Sequence, residues 1–417
     1  MEKIIVNGGN RLNGEICISG MKNSALPIIF SCILVKGDCI INNVPKVSDV
    51  FNALEILSSM GAVAEFCGKN TVLINTDRID DTISAKHLVS TMRASSYLMG
   101  AMLSRFGKVK MPMPGGCNFG ARPIDLHLKG FEALGAKCFC DGENVEIFSS
   151  KKLKCNKITL DKISVGATIN MVLASACLNG TTVISNCAKE PHVDDLIAFL
   201  NCCGAKIARN GTTVVCQGVK ALYGKEYTVF PDMIEALTYI CAVGICKGEI
   251  LLKRVVPYQL SYPTEVFKEM GFEITACGDT VTVRADEIFG CDVVTAPYPL
   301  FPTDLHPQFA ALLCFSRGGG CIREEIFPTR FAYVNELRKM GASISRLRNM
   351  VYIKEAQLTG ASLDATDLRA GASLVLAALG AAGESEINNV NYIVRGYESI
   401  VEKIADIGGK IKLIKGD

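Results

Sequence analysis

The densest run of reactive side chains is Gly115-Gly116-Cys117-Asn118-Phe119-Gly120-Ala121-Arg122-Pro123-Ile124-Asp125-Leu126. Three glycines let this backbone bend sharply and approach a ligand, and the stretch carries a thiol, a guanidinium and a carboxylate. A thiol serves as nucleophile or acid when its proton equilibrium is tuned, and a nearby cation or helix N-terminus lowers a Cys pKa from about 8.5 into that range. Arg122 is the candidate cation. The competing reading is a flexible turn that happens to hold one of the 19 cysteines; the polar, glycine-rich neighbours favour the reactive loop.

Such a loop needs a scaffold, and the scaffold is written as a repeat. A helix-ending phrase recurs six times with its glycine at 61, 135, 204, 271, 341 and 408, a spacing of 67 to 74 residues. That period is too regular for chance and too long for a solenoid. Each glycine falls where a helix closes in a left-handed cap. Gly-led strands such as 37–45, 180–185 and 248–253 follow an apolar helix, and short alternating strands follow each cap. The predicted unit is strand, helix, strand, helix, strand, strand. The chain length suits two domains of about 200 residues each. The sixth unit ends with the chain, so residues 1–21 are expected to complete the sheet of the C-terminal half. The expected division is one domain over 22–229 and another over 1–21 with 230–417, joined by two crossings that form a hinge.

Polar residues open the first helix of every unit: Lys22-Asn23, Arg93, Lys162 with Ser164, Asp232 with Glu235, Asp304, and Asp367 with Arg369. The turns into the second helices carry Lys46, Cys117 with Arg122, Lys189-Glu190, Arg330 and Arg395. Helix N-termini offer unpaired N–H groups and positive partial charge. Together with Lys22, Arg93, Arg122, Arg330, Arg369 and Arg395, symmetric packing of the units predicts a cavity for phosphate and carboxylate. Asp304 follows the proline-bent Phe301-Pro302-Thr303 and suits a fixed carboxylate base. Asp367-Leu368-Arg369 reads equally as an ion pair of a structural cap.

The remaining composition narrows the function. A net charge of +2 gives no footprint for nucleic acid or an anionic membrane. The cysteines form no pair of C-x-x-C motifs and many fall in apolar runs such as 241–246, as expected of core residues in a reducing cytoplasm. No signal peptide is evident, and the longest apolar run, 25–35, is far below the ~20 residues of a membrane span. The histidines at 87, 127, 192 and 306 show no metal-ligand spacing, so no metal is expected. No phosphate-binding G-x-x-x-x-G-K loop or strand-linked G-x-G-x-x-G occurs, and no cofactor is expected.

Taken with the six units, the motifs 21–27, the Cys117 loop, 164–168, 301–304, 366–370 and 395–398 make the chain resemble the enolpyruvyl transferases, in the branch that uses UDP-N-acetylglucosamine as acceptor. The resemblance runs end to end. It implies an α/β fold of two inside-out barrels with three units each. It also implies transfer of enolpyruvate from phosphoenolpyruvate to the sugar 3′-hydroxyl, with phosphate released, as a step of peptidoglycan precursor synthesis. By the same resemblance, Lys22, Arg122 and Arg395 clamp phosphoenolpyruvate, Cys117 gives a proton to its methylene, and Asp304 takes the sugar hydroxyl proton. Asn23, Arg93, the stretch Arg122, Pro123, Ile124, Asp125 and Leu126, the stretch Lys162, Ile163, Ser164 and Val165, and Ile326 line the nucleotide-sugar site. Arg330, Asp367 and Arg369 complete it. The chain departs from the family pattern at Met233, Leu237, His306-Pro307 and Pro328-Thr329. Within enzymes the rival reading is the same chemistry on another hydroxyl acceptor. A non-catalytic, repeat-built binding ring is the rival from another class.

Overall fold

Six helices, one per repeat, are apolar on nearly every side, and a helix without a polar face has to lie inside. In the computed structural model, which describes residues 2–83, 85–115 and 124–415, Met233–Cys246 buries all 14 of its residues. Leu368–Gly380 buries 12 of 13 and His306–Phe315 nine of ten. These three pack against one another. In the other half, Tyr97–Phe106 packs against both Lys22–Ser31 and Val165–Ser175. The contacts divide the chain into two compact units, one holding residues 2–19 and 231–415, the other 20–115 and 124–230.

Each repeat carries its own sheet. In the third, Lys157–Thr159 runs parallel to Thr181–Ser185, which pairs antiparallel with Thr213–Gln217, itself antiparallel to Lys206–Asn210. Thr182 and Ile184 of the second strand are buried while Thr181 faces solvent, the alternation of a sheet wet on one side. The same four-strand order recurs in the first, fourth, fifth and sixth repeats; the second shows three strands among the described residues. The expected α/β repeat is therefore present, with the apolar helices packed together inside each unit and the sheet of each repeat laid against them. Among the described residues each sheet bonds only its own few strands and stays separate from the next.

Strands from far along the chain fill the places that a repeat lacks. Lys3–Asn7 lies between Glu384–Asn388 and Lys410–Ile414, antiparallel to both. Leu12–Cys17 runs parallel to Gly248–Lys253, and Glu226–Thr228 runs parallel to Asp38–Asn42. All six helix-ending glycines adopt left-handed φ, from +93° at Gly135 to +103° at Gly204. A side chain there would be strained, which explains why the period is carried by glycine. Among the described residues no helix is long and apolar enough to cross a membrane.

Candidate active site

The three interior helices of the 231–415 unit all start with an aspartate. Asp232 Oδ1 accepts the backbone N–H of Ile234 and Glu235 at 2.8 and 3.2 Å. Asp367 Oδ1 accepts those of Arg369 and Ala370 at 2.9 and 3.0 Å. Both are helix caps, replacing backbone partners that a first turn lacks. Asp304 is different. It sits in a short 3-10 turn, Thr303–Leu305, ahead of His306–Phe315, and its carboxylate faces two guanidiniums. Arg330 Nη1 donates to Oδ1 at 2.9 Å, and Arg369 Nη2 donates to Oδ2 at 3.1 Å. The two arginine side chains are 5% and 4% exposed against 27% for Asp304, so the carboxylate edge is the accessible part of the cluster. Arg369 thus pairs with Asp304, not with the Asp367 cap.

Burial would raise the Asp304 carboxyl, but Arg330 and Arg369 outweigh it and hold the group well below the usual carboxylate range. In this arrangement Asp304 is ionised and a weak base. Its basicity grows when a guanidinium turns to another anion. Arg369 Nη1 is buried and has no hydrogen-bond partner among the described residues, so one donor of the pair is already uncommitted. A buried donor in that state favours an acceptor strongly.

Two polar groups that sequence reading passed over brace this cluster. Gln308 Nε2 donates to the Asp304 carbonyl at 3.1 Å and to Tyr397 Oη at 2.9 Å, while Tyr397 and Thr238 hydroxyls share a hydrogen bond of 2.8 Å. The Arg369 guanidinium lies over the Tyr397 ring. Tyr397 is two residues from the half-buried Arg395, so the turn 395–398 is anchored beside Arg369. On the other side, Glu324 is fully buried and bonded to Thr303 and His306. A sequence signal for Glu324 did exist: in Cys321-Ile322-Arg323-Glu324 the alternation places an acid on the inward side of a strand end. Of the departures, Met233 and Leu237 are core residues, Pro307 takes a helix-start position where its missing N–H costs nothing, and Pro328 and Thr329 are exposed. Ile326 is half-buried, its N–H held by Glu324 Oε1 at 2.8 Å.

The unit of residues 20–230 presents basic residues at the same register. Lys22 opens Lys22–Ser31, which has no side-chain cap, and its ammonium meets Asp49 Oδ2 at 3.0 Å with 12% and 8% of the side chains exposed. Asn23 and Arg93 are half-buried, Arg93 beginning the turn before Tyr97–Phe106. Ser164 caps Val165–Ser175 through the Ala167 N–H at 3.3 Å, and Lys162 and Ile163 ahead of it are exposed. Ile124 is buried, Asp125 exposed in the first turn of Asp125–Ala133, and Leu126 half-buried. Next to them, burial brings His127 down to about 3, helped by Arg93. It is neutral, and Asn170 Nδ2 donates to its Nδ1 at 2.8 Å. A Cβ on Gly166 would stand 2.9 Å from the His127 ring, so the helix start and the imidazole approach only because that residue is glycine. The Lys46 ammonium lies over the Phe66 ring. Cys117, Arg122 and Pro123 lie outside the described residues. Among the described residues no group of three or more His, Cys, Asp or Glu is placed to hold a metal ion.

Residues 6–404 match the family model of EPSP synthase (3-phosphoshikimate 1-carboxyvinyltransferase). The chain is 43% identical, over all of both sequences, to a UDP-N-acetylglucosamine 1-carboxyvinyltransferase of Halothermothrix orenii. It is 43% identical over 99% of both to UDP-N-acetylglucosamine 1-carboxyvinyltransferase 2 of Clostridium acetobutylicum. Among solved structures, the enolpyruvyl transferase NikO of Streptomyces tendae superposes with a TM-score of 0.89 at 25% identity, covering 100% of this chain and 99% of that one. EPSP synthase of Acinetobacter baumannii shares the fold at a TM-score of 0.78 and 16% identity over all of both chains. With full-length identity of this size and the same repeat architecture, the chain belongs to the enolpyruvyl transferase family, among the UDP-N-acetylglucosamine 1-carboxyvinyltransferases.

Proposed function

We propose that the protein transfers the enolpyruvyl group of phosphoenolpyruvate to the 3′-hydroxyl of UDP-N-acetylglucosamine and releases phosphate. The observation that carries this reading is an accessible carboxylate held between two buried arginines, in a chain that matches enzymes of that name from end to end. The substrate brings a phosphate and a carboxylate. When these engage Arg369 and Arg330, Asp304 loses its counter-ions, its proton affinity rises, and it takes the proton of the attacking hydroxyl. The hydroxyl oxygen adds to C2 of the enol while C3 receives a proton from Cys117. Loss of phosphate from C2, taking up the proton held by Asp304, and return of a proton from C3 to the Cys117 thiolate then restore the double bond. Lys22, Arg93, Arg122 and Arg395 supply further positive charge, with Lys22 already oriented by Asp49. Asn23, Pro123, Ile124, Asp125, Leu126, Lys162, Ile163, Ser164, Val165 and Ile326 are assigned to the nucleotide sugar. Asp367 acts through its cap on the helix that carries Arg369. No cofactor or metal enters these steps. The reaction belongs to peptidoglycan precursor synthesis and is placed in the cytoplasm.

Phosphate release from phosphoenolpyruvate with a panel of hydroxyl acceptors tests the proposal. Turnover that requires UDP-N-acetylglucosamine is expected. Turnover with another acceptor alone would assign the same chemistry to a different pathway, and none with any acceptor would refute the activity.

A further inference from the structure

The buried acid beside the site raises a question of competition. Glu324 lies one hydroxyl away from Arg330: Arg330 Nη1 donates to Thr303 Oγ1 at 2.9 Å, and Thr303 Oγ1 donates to Glu324 Oε2 at 2.9 Å. A fully buried carboxylate so close to a guanidinium would ordinarily capture it. It does not, because its lone pairs are taken. Oε1 accepts from Thr295 Oγ1, Ile326 N and Phe327 N, each at 2.8 Å. Oε2 accepts from Thr303 and from His306 Nδ1 at 2.8 Å.

The direction of every hydrogen bond follows. Five donors keep Glu324 ionised despite its burial, and an ionised carboxylate only accepts. His306 therefore carries its proton on Nδ1. Burial keeps the ring neutral against the pull of Glu324, so Nε2 accepts from the buried Tyr333 hydroxyl at 2.7 Å. Tyr333 and Phe331 meet the imidazole edge-on and fix its plane. The charged groups facing His306 are Glu324, Arg330 and Asp367; those facing Asp304 are Arg330, Arg369 and Asp232.

We propose that His306 is a positioning residue: held by Tyr333, it occupies the Glu324 lone pair that would otherwise draw Arg330 away, and so keeps Arg330 on the Asp304 carboxylate. This inference rests on the enolpyruvyl transfer reading for its kinetic consequences, but its structural consequence is independent of activity. Replacing the imidazole frees Glu324 to take the guanidinium, and Asp304, with one counter-ion left, titrates at higher pH.

The test uses the full chain with His306→Leu, His306→Asn and the double variant His306→Leu/Glu324→Gln. Carboxyl carbon NMR, with the Asp304 signal assigned by its loss in Asp304→Asn, is followed against pH in each. His306→Leu should move the Asp304 titration upward. It should also lower kcat/KM for phosphoenolpyruvate by about tenfold to a hundredfold, the size expected for losing one charge-assisted hydrogen bond, because Arg330 held by Glu324 no longer reaches the substrate anion. The KM for UDP-N-acetylglucosamine should be little changed. His306→Asn, which keeps a donor at the Nδ1 position, should restore most of both. The double variant should restore Asp304 too, because neutralising Glu324 removes the competitor. If His306→Leu does not fold, the Asn variant and Tyr333→Phe give the same ordering in milder form. An Asp304 titration unchanged by all of these, or a double variant no better than His306→Leu, overturns the proposal. A wild type without turnover refutes the enzymatic reading instead, and leaves the NMR result standing on its own.

Discussion

The two units use one architectural position in opposite ways. Where interior helices begin in the 231–415 unit stand Asp232, Asp304 and Asp367, two of them caps and the third bound by two arginines. Where they begin in the 20–230 unit stand Lys22, Arg93 and Ser164, and the Lys22 and Tyr97 helices have no side-chain cap. Uncapped N–H groups and added cations favour an anion; capped starts with a bound carboxylate favour proton chemistry. The repeat provides the same backbone geometry in both cases. The residue type placed on it sets the chemistry.

The largest effect expected from breaking this contrast is at its one accessible acid. Asp304→Asn should lower kcat by about 10²- to 10⁴-fold, the range for removing a positioned base, while calorimetric affinity for UDP-N-acetylglucosamine stays within a few fold. Full turnover in that variant would remove Asp304 from the proton transfer. On the basic side, Lys22→Met takes one partner from the buried Asp49 and should cost about 3 kcal/mol in urea unfolding, with a loss of kcat/KM for phosphoenolpyruvate. A variant of unchanged stability would show that the ion pair contributes nothing net.

The caps sharpen the comparison at smaller scale. Asp232 Oδ1 serves two N–H groups of a helix buried along its whole length, so Asp232→Ala should cost about 2 kcal/mol, the upper end for caps. Ser164 makes one bond of 3.3 Å, and Ser164→Ala should cost about 0.5 kcal/mol, the lower end. Equal losses would mean that the two units cap their helices alike. Acid probes the bound carboxylate itself. Asp304 is depressed in the folded protein, so its contribution to stability is complete above its unfolded value of about 3.9 and drains away as pH falls below that. Chemical unfolding at pH 3 against pH 6 should show this loss in the wild type and not in Asp304→Asn.

Much of the fold was legible because its signals are local. A capping glycine needs only its own φ to recur, and all six have it. Helices such as 233–246 announce their burial by lacking a polar face. How the interior helices of one unit meet was not legible in this way, since helix crossings between repeats depend on contacts that no single repeat specifies. At the site, Asp304, Arg330 and Arg369 stood out by their place at helix starts and turns, but their mutual pairing did not. His306 read as one of four scattered histidines and as a departure from the family pattern, and Glu324 did not stand out.

Local pattern thus decided the period, the interior helices and the set of candidate side chains, because each depends on residues a few positions apart. Packing alone decided that Arg330 and Arg369, 26 and 65 residues beyond Asp304, meet the same carboxylate. Packing also placed the strand at residues 3–7 between two strands from the end of the chain. Charge pairing and strand insertion over such separations follow from where buried helices cross, and no neighbouring residues record that.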